Sequence, residues 1–250
     1  DSLGEKFMTG QSAFSFLRTF SDKKGIVLGI ILLLLLFLVG SVLVEGFNSI
    51  NNLRSILLLA SFLGIAALGQ TLVALLGGLD LSIPFVIGAA NILLAYLFGT
   101  NIPPILCIMI IALMGLILGL LNGFLSFRLQ GQALIMTLGV GFGIVGAAQI
   151  FTTVGSQYSG TVFSDVPQWF ANIASINGKI FGASVPPVVV LWFVMSLITV
   201  LLMNKTKIGR EFYAIGGNRT AASRLQISEF KMWLTAYGTS GLTASLTGML

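Results

Sequence analysis

Between Ser55 and Phe127 the chain runs for 73 residues with a single charged side chain, Asp80. Such a stretch cannot cover a water-facing surface, because soluble domains carry about 25% charged residues. Here the charged residues make up 8% of the chain and the hydrophobic ones 56%. A bilayer is the solvent that these proportions fit, and a soluble enzyme is excluded.

The 250 residues include no histidine and one cysteine, Cys107, which lies inside an apolar run. Zinc sites, Cys/His nucleophiles and disulfide frameworks therefore lack the residues to build them, and no catalytic group, metal or cofactor is expected. A net charge of +5 could point to nucleic acid. That reading needs basic residues gathered on a folded polar face, whereas here they flank apolar segments, so no nucleic-acid partner is expected. Flanking charge is an orientation signal.

A bilayer core of about 30 Å takes roughly 20 apolar residues per helix. The run from Gly25 to Val44 meets this length and lacks a small-residue cleavage site, so it reads as a retained helix. The stretch 55–98 would measure about 66 Å as one helix, twice the core thickness, and must be two spans broken at Gly77-Gly78. Pro103-Pro104 and Pro186-Pro187 open two further helices, since proline is tolerated in a first turn. The expectation is an all-α, polytopic transmembrane helical bundle after an N-terminal segment, residues 1–24. Six full spans fall at about 25–44, 53–76, 79–98, 103–126, 133–153 and 186–203, with a seventh at about 233–250. With the N-terminus in the cytosol, 11 of the 13 Lys and Arg lie on the cytoplasmic side and only Arg54 and Lys179 outside. The polar segment 204–232 is then cytosolic.

Small residues recur at intervals of four as Gly115, Gly119 and Gly123, and again as Gly139, Gly143 and Ala147. Both sets read as stripes where helix backbones approach closely. The run GFGIVG at 141–146 matches a dinucleotide-binding pattern but lies inside a span, without the strand that motif requires. Asp80 is more telling, because an ionised group within a span costs at least about 2.5 kcal/mol. It stands in GGLDLSIP, with Ser82 and Pro84, where a sharp re-entrant turn or helix start is expected. Asp80 can cap the third span there, take part in a transport pathway or its gating, or do both. Gln70, Thr71, Asn91, Asn122, Thr137 and Gln149 also need a neighbouring helix or a cavity, because lipid offers them no partner.

The segment Lys205 to Trp233 carries six basic and two acidic residues. Gly216-Gly217 is expected to turn tightly, Asn218 to cap a short helix from Arg219 to Ile227, and Ala221-Ala222 to let another surface come close. Three stretches now carry a likeness: GQTLVALLGGLDLSIP at Gly69–Pro84, IMTLG at Ile135–Gly139, and TKIGREFYAIGGNRTAASRLQI at Thr206–Ile227. In these the chain resembles the ribose-type permeases of bacterial ABC importers, proteins of the inner (plasma) membrane. The resemblance implies that the cytosolic loop holds the helix that docks on an ABC ATPase subunit, with Tyr213, Gly216, Gly217, Asn218, Ala221, Ala222, Arg224 and Glu229 as coupling residues. Gln70, Thr71, Asp80, Ser82, Asn91, Asn122 and Thr137 are the candidates for a substrate path or gate. The implied partners are that ATPase, a second permease subunit, a periplasmic or lipid-anchored sugar-binding protein and membrane lipid. Two positions depart from the family pattern, with Ile83-Pro84 in place of Val-Gly and Gln226 in place of Gly. Such permeases run on for several more spans, so this sequence is expected to match roughly their first three quarters and to be truncated.

The reading is a permease moving a monosaccharide or similar hydroxylated solute by ATP-driven alternating access. ATP must be hydrolysed in another subunit, because the chain has no phosphate-binding G-x-x-x-x-G-K-[ST] loop. A secondary transporter driven by an ion gradient is the alternative, as is an ABC permease for branched amino acids or nucleosides. With the predicted orientation, a cysteine at Ser223 is expected to be labelled only from the cytosol and one at Gln157 only from outside. Labelling of both from one side would overturn the parity of the spans.

Overall fold

The computed structural model describes residues 24–129, 132–153, 166–178 and 185–250. The N-terminal segment through Lys23, Gln157 and Lys179 lie outside the described residues. Among the described residues the regular structure is entirely helical: α1 (Lys24–Leu43), α2 (Ile50–Leu75), α3 (Ile83–Phe98), α4 (Pro104–Arg128), α5 (Ala133–Thr153), α6 (Gln168–Ala171), α7 (Pro187–Lys205), α8 (Lys207–Gly217), α9 (Arg219–Arg224) and α10 (Glu229–Met249). By length and composition α2, α4, α5 and α7 can each cross a bilayer, and Val27–Leu43 and α3 are shorter apolar helices. This is the architecture of a polytopic membrane bundle.

The described residues fall into two compact units, one ending at Leu53 and the other running from Arg54 to Leu250. In the first, α1 is apolar on every side and exposes its leucines from Leu28 to Leu43, as a helix facing lipid does. The turn after it folds back, with Phe47 against Phe37 at 5.3 Å and the Ser41 hydroxyl donating to Asn48 at 2.8 Å.

The second unit is organised around α10, a helix rich in Gly, Ser, Thr and Ala, with twelve buried residues. Its small side chains bring it into contact with the backbones of α4, α3 and α2. A Cβ at Gly115, Gly119 or Gly123 of α4 would run into Ser245 and Gly241, the Tyr237 carbonyl, or the Trp233 carbonyl of α10. Gly241 of α10 meets the Gly115 carbonyl in return, Gly248 meets that of Ile87 on α3, and Gly69 of α2 meets Ser240 and Thr243. The α4 stripe is thus the packing seam that its spacing predicts.

The α5 stripe is not. Among the described residues, Gly139 and Gly143 have no heavy atom within 4 Å of an added Cβ. The buried face of α5 carries Thr137, Gly141, Ala148 and Thr152, where Gly141 accommodates the ring of Phe85. Small size marked two faces of α5 equally, and the bulk of Phe85 decided which one packs.

One end of this unit gathers the C-terminal ends of α2 and α4, the N-terminal ends of α3, α5 and α10, and the short helices α8 and α9. Phe127 meets Phe230 at 5.1 Å, the Leu81 amide donates to Thr137 at 3.2 Å, and Arg219 donates to the Leu76 carbonyl at 2.7 Å. Beneath α8 and α9 lies a cluster of Val73, Leu76, Phe212, Ile215, Trp233 and Tyr237.

Gly119→Ala should destabilise the fold by about 1–3 kcal/mol, because the added methyl meets backbone that cannot rotate away. Gly139→Ala should be neutral or stabilising by up to about 1 kcal/mol through its helix propensity. Thermal unfolding in detergent checks the contrast, and equal effects would refute the assignment of the seam.

Candidate functional site

The site is built on the break between α2 and α3. Helix α2 ends in a Schellman motif: Gly77 takes φ +76°, Gly78 donates to the Val73 carbonyl at 3.0 Å and Gly77 to that of Ala74 at 2.9 Å. The break falls where Gly77-Gly78 predicts it, because glycine alone adopts that φ without cost. The chain then runs non-helically to Ser82, so α3 begins at Ile83 and not at the expected 79. Inside a membrane protein such backbone must find its partners within the bundle.

It does. The Asp80 amide donates to Gln70 Oε1 at 3.3 Å, the Leu81 amide to Thr137 Oγ1, and the Ser82 amide to Asp80 Oδ1 at 3.0 Å. The Leu79 carbonyl accepts from the Tyr237 hydroxyl at 3.3 Å. Asp80 itself is 3% exposed. Its Oδ1 also accepts from the Ser82 hydroxyl at 2.6 Å, and Oδ2 from the Ser240 hydroxyl at 2.8 Å. The Asn122 amide donates to Ser82 Oγ at 2.7 Å and closes the network from α4.

Asp80 is therefore not the helix cap. That position belongs to Ser82, whose side chain makes no capping bond. The carboxylate instead closes an Asx-turn two residues ahead of α3 and binds a hydroxyl from α10. The non-helical path past Gly78 lets the Asp80 carboxylate reach both the Ser82 amide and the α10 hydroxyl.

Five of the residues singled out in the sequence, Gln70, Asp80, Ser82, Asn122 and Thr137, meet in this knot. Thr71 and Asn91 do not: both are exposed, and the Thr71 hydroxyl bonds its own helix at Ala67. Gln149 is likewise exposed on α5. Tyr237 and Ser240 went unsingled because a tyrosine and a serine in a Ser/Thr-rich run carry no pattern. Their signal was position, since both lie on the one helix whose small, hydroxylated sequence requires burial.

The polar segment 204–232 holds a pair of short helices, α8 and α9, packed on this same end. Asn218 caps α9 through its side chain, accepting from the Ala221 amide at 3.0 Å. Gly216-Gly217 forms no tight turn. Both are the last residues of α8, and Gly216 is small because a side chain there would strike the Leu75 carbonyl. Helix α9 stops at Arg224, short of Ile227, in a second Schellman motif. Gln226 takes φ +58°, Ile227 donates to the Ala222 carbonyl at 3.2 Å, and Gln226 to that of Ser223 at 3.0 Å. The departure from glycine at 226 leaves the turn intact and places a side chain in a left-handed conformation.

The alanine pair divides. Ala221 is exposed, whereas Ala222 is 2% exposed and packs inward on the cluster under α9. Adjacent helical positions point about 100° apart, so one face cannot carry both. The outward face consists of Thr220, Ala221, Arg224 and Leu225, with Tyr213 from α8, and Leu225 stands 72% exposed. Glu229 turns to the bundle, accepting from Trp233 Nε1 at 3.2 Å and pairing with Arg219 at 3.5 Å.

Residues 52–250 match the family described as branched-chain amino acid transport system / permease component. The chain is 30% identical over 88% of its length to the ribose import permease protein RbsC of Haemophilus influenzae, and the match covers 66% of that relative. For the RbsC of Escherichia coli K12 the figures are 30%, 88% and 67%. The autoinducer 2 import system permease protein LsrD of Escherichia coli HS is 27% identical over 75% of the chain and 56% of its own length. No solved structure matches. The chain belongs to this permease family, and it is a multi-pass membrane protein related to the permease components of sugar importers. It spans about two thirds of the length of the ribose permeases, rather than three quarters.

Ser240→Ala should cost about 1.5–3 kcal/mol, because it leaves a buried carboxylate oxygen without its donor. Thr71→Ala, which removes only a bond within α2, is the neutral comparison. Unfolding midpoints in detergent measure both, and equal midpoints would show that the carboxylate draws no support from α10.

Proposed function

We propose that the chain is the permease subunit of a bacterial ABC importer and carries a monosaccharide or similar small hydroxylated solute by alternating access. The observation that carries this reading is the outward face of α9: a short helix with Leu225 as its apolar knob and Arg224 beside it, mounted on the packed end of the bundle. An ATPase groove on the cytosolic side fits such a knob. In this arrangement the N-terminus and the segment 204–232 are cytoplasmic, and the spans number six with a seventh at α10. The complete transporter pairs two permeases and two ATPases in the inner membrane, and a periplasmic or lipid-anchored binding protein delivers the solute.

Docking contacts come from Tyr213, Ala221, Arg224 and Leu225. Asn218 caps the docking helix, Gly216 and Gly217 end the helix before it, and Ala222 and Glu229 anchor it to the bundle. The knot of Gln70, Asp80, Ser82, Asn122 and Thr137 acts as a gate hinge rather than a sugar site, since both oxygens of Asp80 already hold donors from the protein. Thr71 and Asn91, exposed on α2 and α3, are free to line the path. A sugar rather than an amino acid is supported by the two relatives named for ribose import.

Leu225→Glu and Ala221→Trp should each reduce co-purification of the ATPase subunit while the permease still inserts and folds. Ala222→Trp is the contrasting variant: its side chain is driven into the core, so it should lower the unfolding temperature itself. Wild-type ATPase binding by both Leu225→Glu and Ala221→Trp would remove α9 as the docking element.

A further inference from the structure

The turn that carries Asp80 is held at both ends by residues from outside α2 and α3. At one end the Leu76 carbonyl, left without an intrahelical donor where α2 stops, accepts from Nη2 of Arg219 at 2.7 Å across 143 positions of sequence. At the other the Leu79 carbonyl accepts from Tyr237. Between them stand Gly77 and Gly78, the most pliable pair in the region.

The two grips are joined. Arg219 Nε lies 3.5 Å from Glu229 Oε1, and its guanidinium lies over the Trp233 ring at 5.6 Å. Trp233 donates to the same Glu229 oxygen and stacks on Tyr237 with ring centres 5.6 Å apart and planes 14° from parallel. A closed circuit results: Leu76, Arg219, Glu229 with Trp233, Tyr237, Leu79.

The needs of α9 do not explain Arg219. It is the first residue of that helix, where a positive charge opposes the helix dipole. Its pair with Glu229 is part-exposed, 42% against 28%, and such pairs add little stability. At the C-terminus of α2, by contrast, a cation and donor is favoured on both counts. The planar fork of arginine also lets one side chain reach Leu76, Glu229 and Trp233 together, which a lysine ammonium cannot do.

We infer that Arg219 is the positioning residue that ties the docking helix α9 to the Asp80 turn, so that displacement of α9 moves the Leu76–Leu79 segment about its glycine joint. The inference rests on the docking role proposed for α9. It specifies the connection by which ATPase closure reaches the spans. Arg219→Met cuts this tie and leaves the outward face of α9 in place.

The experiment uses the assembled permease–ATPase complex with a single cysteine at Leu79, a residue that is 45% exposed. Maleimide labelling rates are compared without nucleotide and after trapping with ATP and vanadate. With Arg219 present the two rates should differ by roughly fivefold or more. In Arg219→Met, and also in Arg219→Lys, ATPase should still co-purify while the two rates converge. Should Arg219→Met not fold, Arg219→Lys decides alone. Retained ATPase with an unchanged rate difference overturns the inference, as does a parent complex whose rates never differ. Leu225→Glu and Ala221→Trp separate the two levels: if both keep wild-type ATPase binding, the docking reading fails, whereas if they lose the ATPase and Arg219→Met keeps normal nucleotide-dependent labelling, only the tie fails.

Discussion

The second unit depends on how a few residues of non-helical backbone, from Gly78 to Ser82, satisfy their hydrogen bonds inside a bundle that faces lipid. Lipid offers no donors or acceptors, so each amide and carbonyl there must be met by a protein group. Gln70 of α2 and Thr137 of α5 accept from the Asp80 and Leu81 amides and Tyr237 of α10 donates to the Leu79 carbonyl, while Asn122 of α4 and Ser240 of α10 bind the side chains of Ser82 and Asp80. Asp80 adds two carboxylate oxygens at the centre, answered by hydroxyls rather than by a cation. A break in one helix has thereby fixed the register of four others.

Much of this was legible in the sequence where physical chemistry leaves one choice. An apolar stretch too long for one span had to break, and Gly77-Gly78 was the place. Polar side chains in apolar runs needed partners, and five of the eight singled out, Gln70, Asp80, Ser82, Asn122 and Thr137, converge. The diproline steps open α4 and α7 because proline tolerates the first turn and little else. What could not be read was facing. Nothing local distinguishes Ala221 from Ala222, or the Gly139 face of α5 from the Gly141 face; partners far away in sequence, Phe85 and the cluster around Phe212, set each. Arg219 likewise read as one of six basic residues in a polar loop, and only its reach to Leu76 sets it apart.

The two Schellman motifs show how one physical device serves two ends. At Gly77 the left-handed residue costs nothing and leaves the following backbone free to bend toward Asp80. At Gln226 it carries a side chain, which restricts the chain between α9 and α10.

The composition of α10 bears on how the protein is made. With six Ser and Thr among its residues from Thr235 to Thr247, it is not among the helices apolar enough to qualify as a span by composition. A helix of that kind gains little by entering lipid alone and is held there by backbone contact with the α4 glycines. A lesion in the α4 glycine seam would deprive α10 of the backbone contacts that hold it, and is therefore expected to show first as a lower yield of folded protein.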